Sequence, residues 1–202
     1  MNNDWTGNGK SVFSTLGASN HTDKERQCED YYATDPIAID ALISDGGVKF
    51  NSKVWECSCG EGHLSKRLGE YGVEVISTDL IDRGYGKGGV DFLTTTEKVD
   101  MDILTNPPYK YAKEFIEHAM EITSVGNRIF MFLKVQFLEG KGRKELFKKY
   151  PPKCVYVSSS RILCAKNGMF DEERAKGSSA VAYAWYEFVN GYNGNTYIKW
   201  IN

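Results

Sequence analysis

Asn106, Pro107, Pro108 and Tyr109 stand in a row, directly after the apolar run Asp102-Ile103-Leu104-Thr105 and directly before a segment of helical periodicity. Those residue types in that order suit one awkward problem, the activation of an amino group conjugated with an aromatic ring, such as that of adenine. The lone pair of such a nitrogen is delocalised, so it is a poor nucleophile. The side-chain carbonyl of Asn106 and the main-chain carbonyl of Pro107 could accept its two N–H hydrogens, aim the nitrogen at an electrophile and favour pyramidal geometry as charge develops. The prolines fix φ and remove two backbone donors that would compete for the same acceptors. Tyr109 offers a flat face on which a flipped-out base can stack. No strong base is needed beforehand, because the amino proton becomes acidic only after transfer. The bland alternative is a turn that merely ends a strand.

A second constellation reads as a nucleotide site. The short apolar run Lys53-Val54-Trp55-Glu56-Cys57 leads into Ser58-Cys59-Gly60-Glu61-Gly62, and a helical pattern follows. Gly60 and Gly62 would let backbone approach a ligand, and the next apolar run ends at Asp79, roughly 20 residues on, where a carboxylate commonly holds ribose hydroxyls. Ser65 stands where a dinucleotide fingerprint would have its third glycine, so nothing prepares a pyrophosphate site. An adenosine ligand without phosphates fits better.

These residues need strands and helices to position them. Asp35 caps and Pro36 opens a first helix with Ile37, Ala38, Ala41 and Leu42 on one face, stopped by Asp45-Gly46-Gly47. Strands are expected at 53–57, 73–78, 102–105, 128–133, 154–157, 180–189 and 196–201. Helices are expected after Gly62, with Leu64, Leu68 and Tyr71 inward, after Tyr109, with Ala112, Phe115, Ile116 and Ala119 inward, and in the basic stretch 143–149. Residues 158–179 read as a loop. Alternating strands and helices with near-continuous apolar strands predict an open, mostly parallel α/β sheet in one Rossmann-like domain over residues 31–202. Residues 1–30 read as a polar arm.

Composition narrows the class. The 202 residues are 41% hydrophobic and 26% charged with a net charge of -2, which excludes a globally basic nucleic-acid coat and leaves phosphate contact to a local patch. No apolar run reaches the roughly 18 residues a membrane span needs. Five cysteines in no compact framework, and a polar start at Met1–Lys10, read as reduced thiols in a cytoplasmic protein. Gly7-Asn8-Gly9-Lys10-Ser11 mimics a phosphate loop but has Asp4 where that motif needs glycine. Cys57 and Cys59, one residue apart, are poorly spaced for zinc, and no metal is expected. Lys141, Arg143, Lys144, Lys148, Lys149 and Lys153 form a basic run, either a solvated helix face or a phosphate-binding patch. The candidate nucleic-acid contacts are Lys141, Arg143, Lys144, Lys148, Lys149 and Arg161. Lys166, Asn167 and Arg174 are further candidates for base edges. No Pro-Cys dipeptide occurs, which speaks against a cytosine ring-carbon methyltransferase.

Trp55-Glu56-Cys57-Ser58-Cys59-Gly60-Glu61-Gly62 resembles motif I of amino-methylating DNA methyltransferases, and Asn106-Pro107-Pro108-Tyr109 resembles their catalytic motif IV. Tyr32-Ala33-Thr34-Asp35-Pro36 resembles their Tyr/Phe-x-Thr-Pro element, motif X. The resemblance covers about residues 31–133, in the order X, I, IV of the gamma arrangement. It implies a seven-strand-type domain that uses S-adenosylmethionine to methylate the amino group of adenine in DNA. It implies that Tyr32, Thr34, Glu56, Cys57, Ser58, Cys59, Gly60 and Gly62 line the cofactor, that Asp79 takes the ribose hydroxyls, and that Asp91 and Phe92 flank its adenine. Catalysis falls to Asn106, Pro107, Pro108 and Tyr109. Two departures stand out: Cys57 replaces the usual proline of motif I, and Asp35 intrudes before the proline of motif X. Guanine amines of ribosomal RNA and the glutamine amide of a protein share the same chemistry, and a silent nucleic-acid-binding relative would keep the fold. Oligomeric state and recognition sequence stay open. No separate recognition domain is expected, and target recognition is accordingly expected to be short, degenerate or supplied by a partner.

Overall fold

The computed structural model describes residues 32–50, 53–166, 168–175 and 181–202, with the side chain of Lys166 excepted. The polar arm, the Gly7–Ser11 decoy and Asn167 lie outside the described residues.

Strand β1 (Tyr32–Thr34) comes first, then helix α1 (Ile37–Ser44), β2 (Val54–Glu56), α2 (His63–Glu70) and β3 (Val75–Ser77). After β4 (Asp102–Thr105) come α3 (Ala112–Ile122), β5 (Arg128–Lys134), α4 (Lys141–Lys149) and β6 (Cys154–Ser158). The chain ends with β7 (Cys164–Lys166), α5 (Phe170–Ala175), β8 (Tyr183–Val189) and β9 (Tyr197–Ile201). Seven strands form the main sheet in the order β3-β2-β4-β5-β8-β6-β9, and β8 alone runs against the others. The expected mostly parallel α/β sheet is what the structure shows. Asp35 caps α1 by accepting from Ile37 N at 3.2 Å, although the helix itself starts one residue later than Pro36.

The apolar strands are covered on both sides, and the period of two sorts their residues. Ile103, Ile129, Met131 and Leu133 face one core with Phe115, Ile116 and Ala119 of α3. Leu104, Phe130 and Phe132 face the other with Ala38, Leu42, Leu64 and Leu68 of α1 and α2. The N-terminal ends of β4 and β5 are pinned together, because the buried Asp102 carboxylate accepts from Arg128 N at 2.8 Å and Arg128 Nε at 3.0 Å.

The structure corrects the reading of residues 158–179 as a loop. Within them β7 pairs antiparallel with β1, Tyr32 opposite Lys166 and Thr34 opposite Cys164, and α5 follows. Both strands have only three residues, too short for a periodic signal to rise above the surrounding polar sequence.

Candidate active site

The sheet order reverses at β2: β3 lies on one side of it and β4 on the other. Ligands of doubly wound sheets bind at the carboxyl ends of the strands at such a reversal. Both sequence constellations lie there, since Gly60 and Gly62 follow β2, Asp79 follows β3 and Asn106 follows β4.

The loop after β2 is folded by its own hydrogen bonds. Cys59 N donates to Thr78 O at 3.0 Å, Gly62 N to Cys59 O at 2.8 Å, and Gly60 N to Asp79 Oδ2 at 2.8 Å. Asp79 also accepts from Ile81 N through Oδ1 at 2.9 Å. The residue expected to hold a ribose thus also holds the loop that would face it. Gly62 has φ +78°, and a Cβ there would lie 2.2 Å from the Tyr85 ring. No side chain fits that position without movement, which explains the glycine better than flexibility does.

Ser65, missing from the sequence signal except as an absent glycine, has a clear task. It is buried and its hydroxyl donates to Glu56 Oε2, with Ser77 Oγ at 2.6 Å on its other side. Glu56 is only 2% exposed. Burial, reinforced by the nearby Asp79 charge, pushes its carboxyl up to about 8, so that it is largely protonated at neutral pH. Burial likewise raises the Cys57 thiol, and pushes Cys59 up to about 12 with help from the charges of Glu56 and Asp79. Both are neutral thiols, and Cys59 Sγ points at Tyr85 O at 3.6 Å. Ser58 lies between them in the turn that leaves β2.

The segment around Thr34 and the turn that begins at Asn106 meet directly. Asn106 Nδ2 donates to Thr34 Oγ1 at 2.9 Å and to Tyr32 O at 3.1 Å. Both amide hydrogens are therefore used, and Asn106 Oδ1 is buried with no hydrogen-bond partner. A buried acceptor left unpaired costs roughly 1 to 3 kcal/mol, and a donor brought by a ligand would recover it. Pro107 is buried and Pro108 exposed, and the chain then enters a 3-10 turn, Tyr109–Tyr111.

Tyr109 differs from the expectation of a free stacking face. Its ring is stacked with Tyr183, centroids 6.0 Å apart at 28°, and Lys134 Nζ lies 5.5 Å from its centroid. Its hydroxyl reaches Cys164 Sγ at 3.6 Å, and burial raises its pKa. The 3-10 turn draws the ring inward onto β7 and β8. Phe92 also departs from its expected place beside a cofactor: it is 2% exposed and packs on Trp55, Phe115 and His118. Asp91 is exposed and caps the following 3-10 turn through Leu93 N at 3.0 Å.

The residues of the basic run differ in their partners. Arg143 Nη1 donates to Gln136 O at 3.0 Å and Glu139 O at 2.8 Å, and its guanidinium lies 4.5 Å from the Phe137 ring centroid. Lys148 pairs with Glu145 at 2.9 Å, and Lys149 lies over Tyr150. Lys141 and Lys144 are exposed, as is Arg161 in the segment between β6 and β7. Arg174 is paired with Asp35 at 2.7 Å. Lys134, Tyr183 and Cys164 carry no motif in the sequence that would mark them, and only the fold brings them to the site.

No protein-family model matches the sequence, and no curated protein is significantly similar to it. Solved structures do match it in shape. One is a protein assigned as a hemolysin of Lactococcus lactis, with TM-score 0.57, 8% identity, and 80% of this chain and 89% of that one covered. A predicted O-methyltransferase of Agrobacterium tumefaciens matches with TM-score 0.56 and 12% identity, over 82% of this chain and 85% of the other. A modification subunit assigned to a type I restriction enzyme of Vibrio vulnificus matches with TM-score 0.54 and 13% identity, over 93% of this chain, which spans 49% of that larger protein. Likeness at such identities establishes architecture, and the architecture is the α/β fold of S-adenosylmethionine-dependent methyltransferases.

Proposed function

We propose that this chain is an S-adenosylmethionine-dependent methyltransferase acting on the exocyclic amino nitrogen of adenine in DNA. The observation that carries the reading is the state of Asn106. Its amide nitrogen is fully engaged by Thr34 and Tyr32, while its carbonyl is buried and unpaired at the carboxyl end of β4. That is a preorganised acceptor for an N–H hydrogen.

The residues present fit the cofactor. Gly60 and Gly62 take left-handed backbone beside Asp79, Thr34 is held against Asn106, and Glu56 is buried beneath the loop. Gly60, Gly62 and Asp79 would hold the nucleoside, and Tyr32, Thr34 and the Glu56–Cys59 turn the methionine end. When bound, S-adenosylmethionine supplies a methyl group activated by a positively charged sulfur. Asn106 Oδ1 and the Pro107 carbonyl accept the two amino hydrogens and hold the nitrogen lone pair toward that methyl carbon. The surplus proton then leaves to solvent.

DNA is favoured as acceptor by the Asn-Pro-Pro-Tyr motif and by the structural likeness to the modification subunit assigned to a restriction enzyme. The test is transfer of a tritiated methyl group to DNA, RNA and protein in parallel, followed by nucleoside mass spectrometry. N6-methyladenine in DNA is the expected product. Label confined to RNA or protein would overturn the acceptor, and no transfer with no cofactor binding would overturn the enzyme reading.

A further inference from the structure

Beside the catalytic motif lies a pocket of about 110 Å³ walled by Tyr109, Leu133, Lys134, Gln136, Phe137 and Arg143. Tyr109 comes from the turn that follows Asn106, and Lys134 ends β5, the strand next to β4. Thr105 is level with Met131 in that pairing, and β5 then runs on to Lys134. The lysine therefore stands at the same edge of the sheet as Asn106.

The Lys134 backbone is firmly set. Tyr186 OH donates to Lys134 O at 3.1 Å and to Val135 O at 3.2 Å, and Val135 N donates to Ala182 O at 2.9 Å. The side chain is not so committed. Its ammonium lies over the Tyr109 ring, and among the described residues no carboxylate pairs with it. Arg143, the other cation of the pocket, is tied to two backbone carbonyls. What remains is one donor-only group beside the apolar walls Ala112, Leu133 and Phe137, with the Tyr109 ring already engaged by Lys134 and Tyr183. A phosphate would satisfy the lysine but make no use of the apolar walls. A planar heteroaromatic base uses both, and adenine presents ring nitrogens that are acceptors.

We infer that this pocket receives the acceptor base and that Lys134 donates to one of its ring nitrogens, making Lys134 a residue that selects and holds the acceptor. The inference rests on the amino-methylation reading above.

The experiment measures kcat and KM at saturating cofactor for wild type, Lys134→Met and Lys134→Arg. Substrates are single-stranded oligodeoxynucleotides carrying adenine, or its 1-deaza, 3-deaza or 7-deaza analogue, at the methylated position. Wild type should lose about tenfold to a hundredfold in kcat/KM on one analogue, the size of one charge-assisted hydrogen bond. Lys134→Met should show that loss on adenine and no further loss on the same analogue, and Lys134→Arg should recover part of it. Thermal melting compares the folding of the variants, and the arginine variant keeps the test decisive where methionine perturbs the fold. Equal loss on all analogues with a flatter salt dependence would place Lys134 on a phosphate and overturn the inference. So would a Lys134→Met variant that matches wild type on every substrate. Wild type that methylates no adenine oligonucleotide would bring down the amino-methylation reading and this inference with it, a result distinct from failure of Lys134 alone.

Discussion

Asn106 and Thr34 are 72 positions apart in the chain, yet the amide nitrogen of one donates to the hydroxyl of the other at 2.9 Å. With the second bond to Tyr32 O, this fixes which end of the Asn106 amide points inward. β1 thus holds the Asn106 amide from behind and leaves its carbonyl without a partner, the acceptor on which the proposed function relies.

Removing that carbonyl should be severe. Asn106→Ala is expected to reduce single-turnover methyl transfer by on the order of 10² to 10³, as removal of one preorganised polar group does elsewhere. Cofactor affinity should change little. Thr34→Ala removes one neutral hydrogen bond to the amide and should cost about 1 kcal/mol, or roughly fivefold, with Thr34→Ser close to wild type. An Asn106→Ala enzyme within twofold of wild type would remove Asn106 from the chemistry.

Gly62 tests the loop after β2. An added Cβ meets the Tyr85 ring at 2.2 Å, and its φ of +78° strains any other residue. Gly62→Ala should lower the melting temperature and weaken cofactor binding. Adding Tyr85→Ala should restore part of both, because it removes the clash but leaves the backbone strain of about 1 kcal/mol or more. Full restoration by the double variant would show that the left-handed backbone contributes nothing.

Glu56 gives the fold a pH dependence of definite sign. Its folded carboxyl titrates at about 8, against an ordinary value of 4.5. Between those pH values the unfolded chain has released this proton and the folded chain still holds it. Its contribution to stability is therefore greatest below pH 4.5 and declines as pH rises toward 8, by at most about 1.4 kcal/mol per pH unit. Glu56→Gln, which keeps the shape and stays neutral, should flatten the decline in urea midpoint between about pH 5 and about pH 8 and be the more stable form at the upper end. Parallel pH profiles for the two proteins would show that Glu56 ionises normally in the fold.

What the sequence makes legible follows from how local each signal is. The strands ending at Glu56, Ser77 and Thr105 announce themselves as apolar runs, and the residues just beyond them gather at one end of the sheet. The order of the main sheet and its one reversed strand, β8, depend on contacts distant in sequence, and no residue type marks them. The β1–β7 pair escapes notice because three residues show no period, although it holds Thr34 opposite Cys164. Phe92 and Tyr109 are legible as aromatic residues near the site, but the direction of their rings is not. One is consumed by the core around Trp55, and the other leans on Tyr183. Lys134 reads as the polar end of a strand, and only the fold brings it to Tyr109.

Asp79 has one task in the fold and a second expected of it, and substitution can separate the two. Its carboxylate accepts from Gly60 N and Ile81 N, which shapes the loop, and it is also the expected partner of ribose hydroxyls. Asp79→Ala should weaken cofactor binding by about 1.5 to 3 kcal/mol in calorimetry, the range for a charged hydrogen bond, and should also lower stability. Asp79→Asn retains one carbonyl acceptor, so it should fall between alanine and wild type in both measurements. If Asp79→Ala lowers stability while leaving affinity untouched, the residue is only a brace for Gly60.

The partners of the basic residues lead to a selective forecast for DNA binding. Arg143 is occupied by the carbonyls of Gln136 and Glu139, and Lys148 by Glu145, so neither is freely available to a phosphate. Lys141 and Lys144 are exposed at the start of α4, and Lys110 is exposed in the turn beside Tyr109. These three are better placed to meet the backbone of a strand entering the site. Each lysine–phosphate pairing that a substitution removes should reduce the slope of log affinity against log salt by roughly 0.7 to 0.9, without changing sequence preference. Neutralising Lys110, Lys141 and Lys144 together should therefore weaken binding to all oligonucleotides alike and flatten the salt dependence by roughly two to three units. Lys148→Gln should leave the slope near wild type. Arg143→Ala should instead lower the melting temperature, since it frees two carbonyls and uncovers Phe137. Fluorescence anisotropy across a salt series reads the slopes, and thermal melting reads the arginine variant. A Lys148→Gln slope that falls as far as the triple variant would return the phosphate contact to the whole helix face.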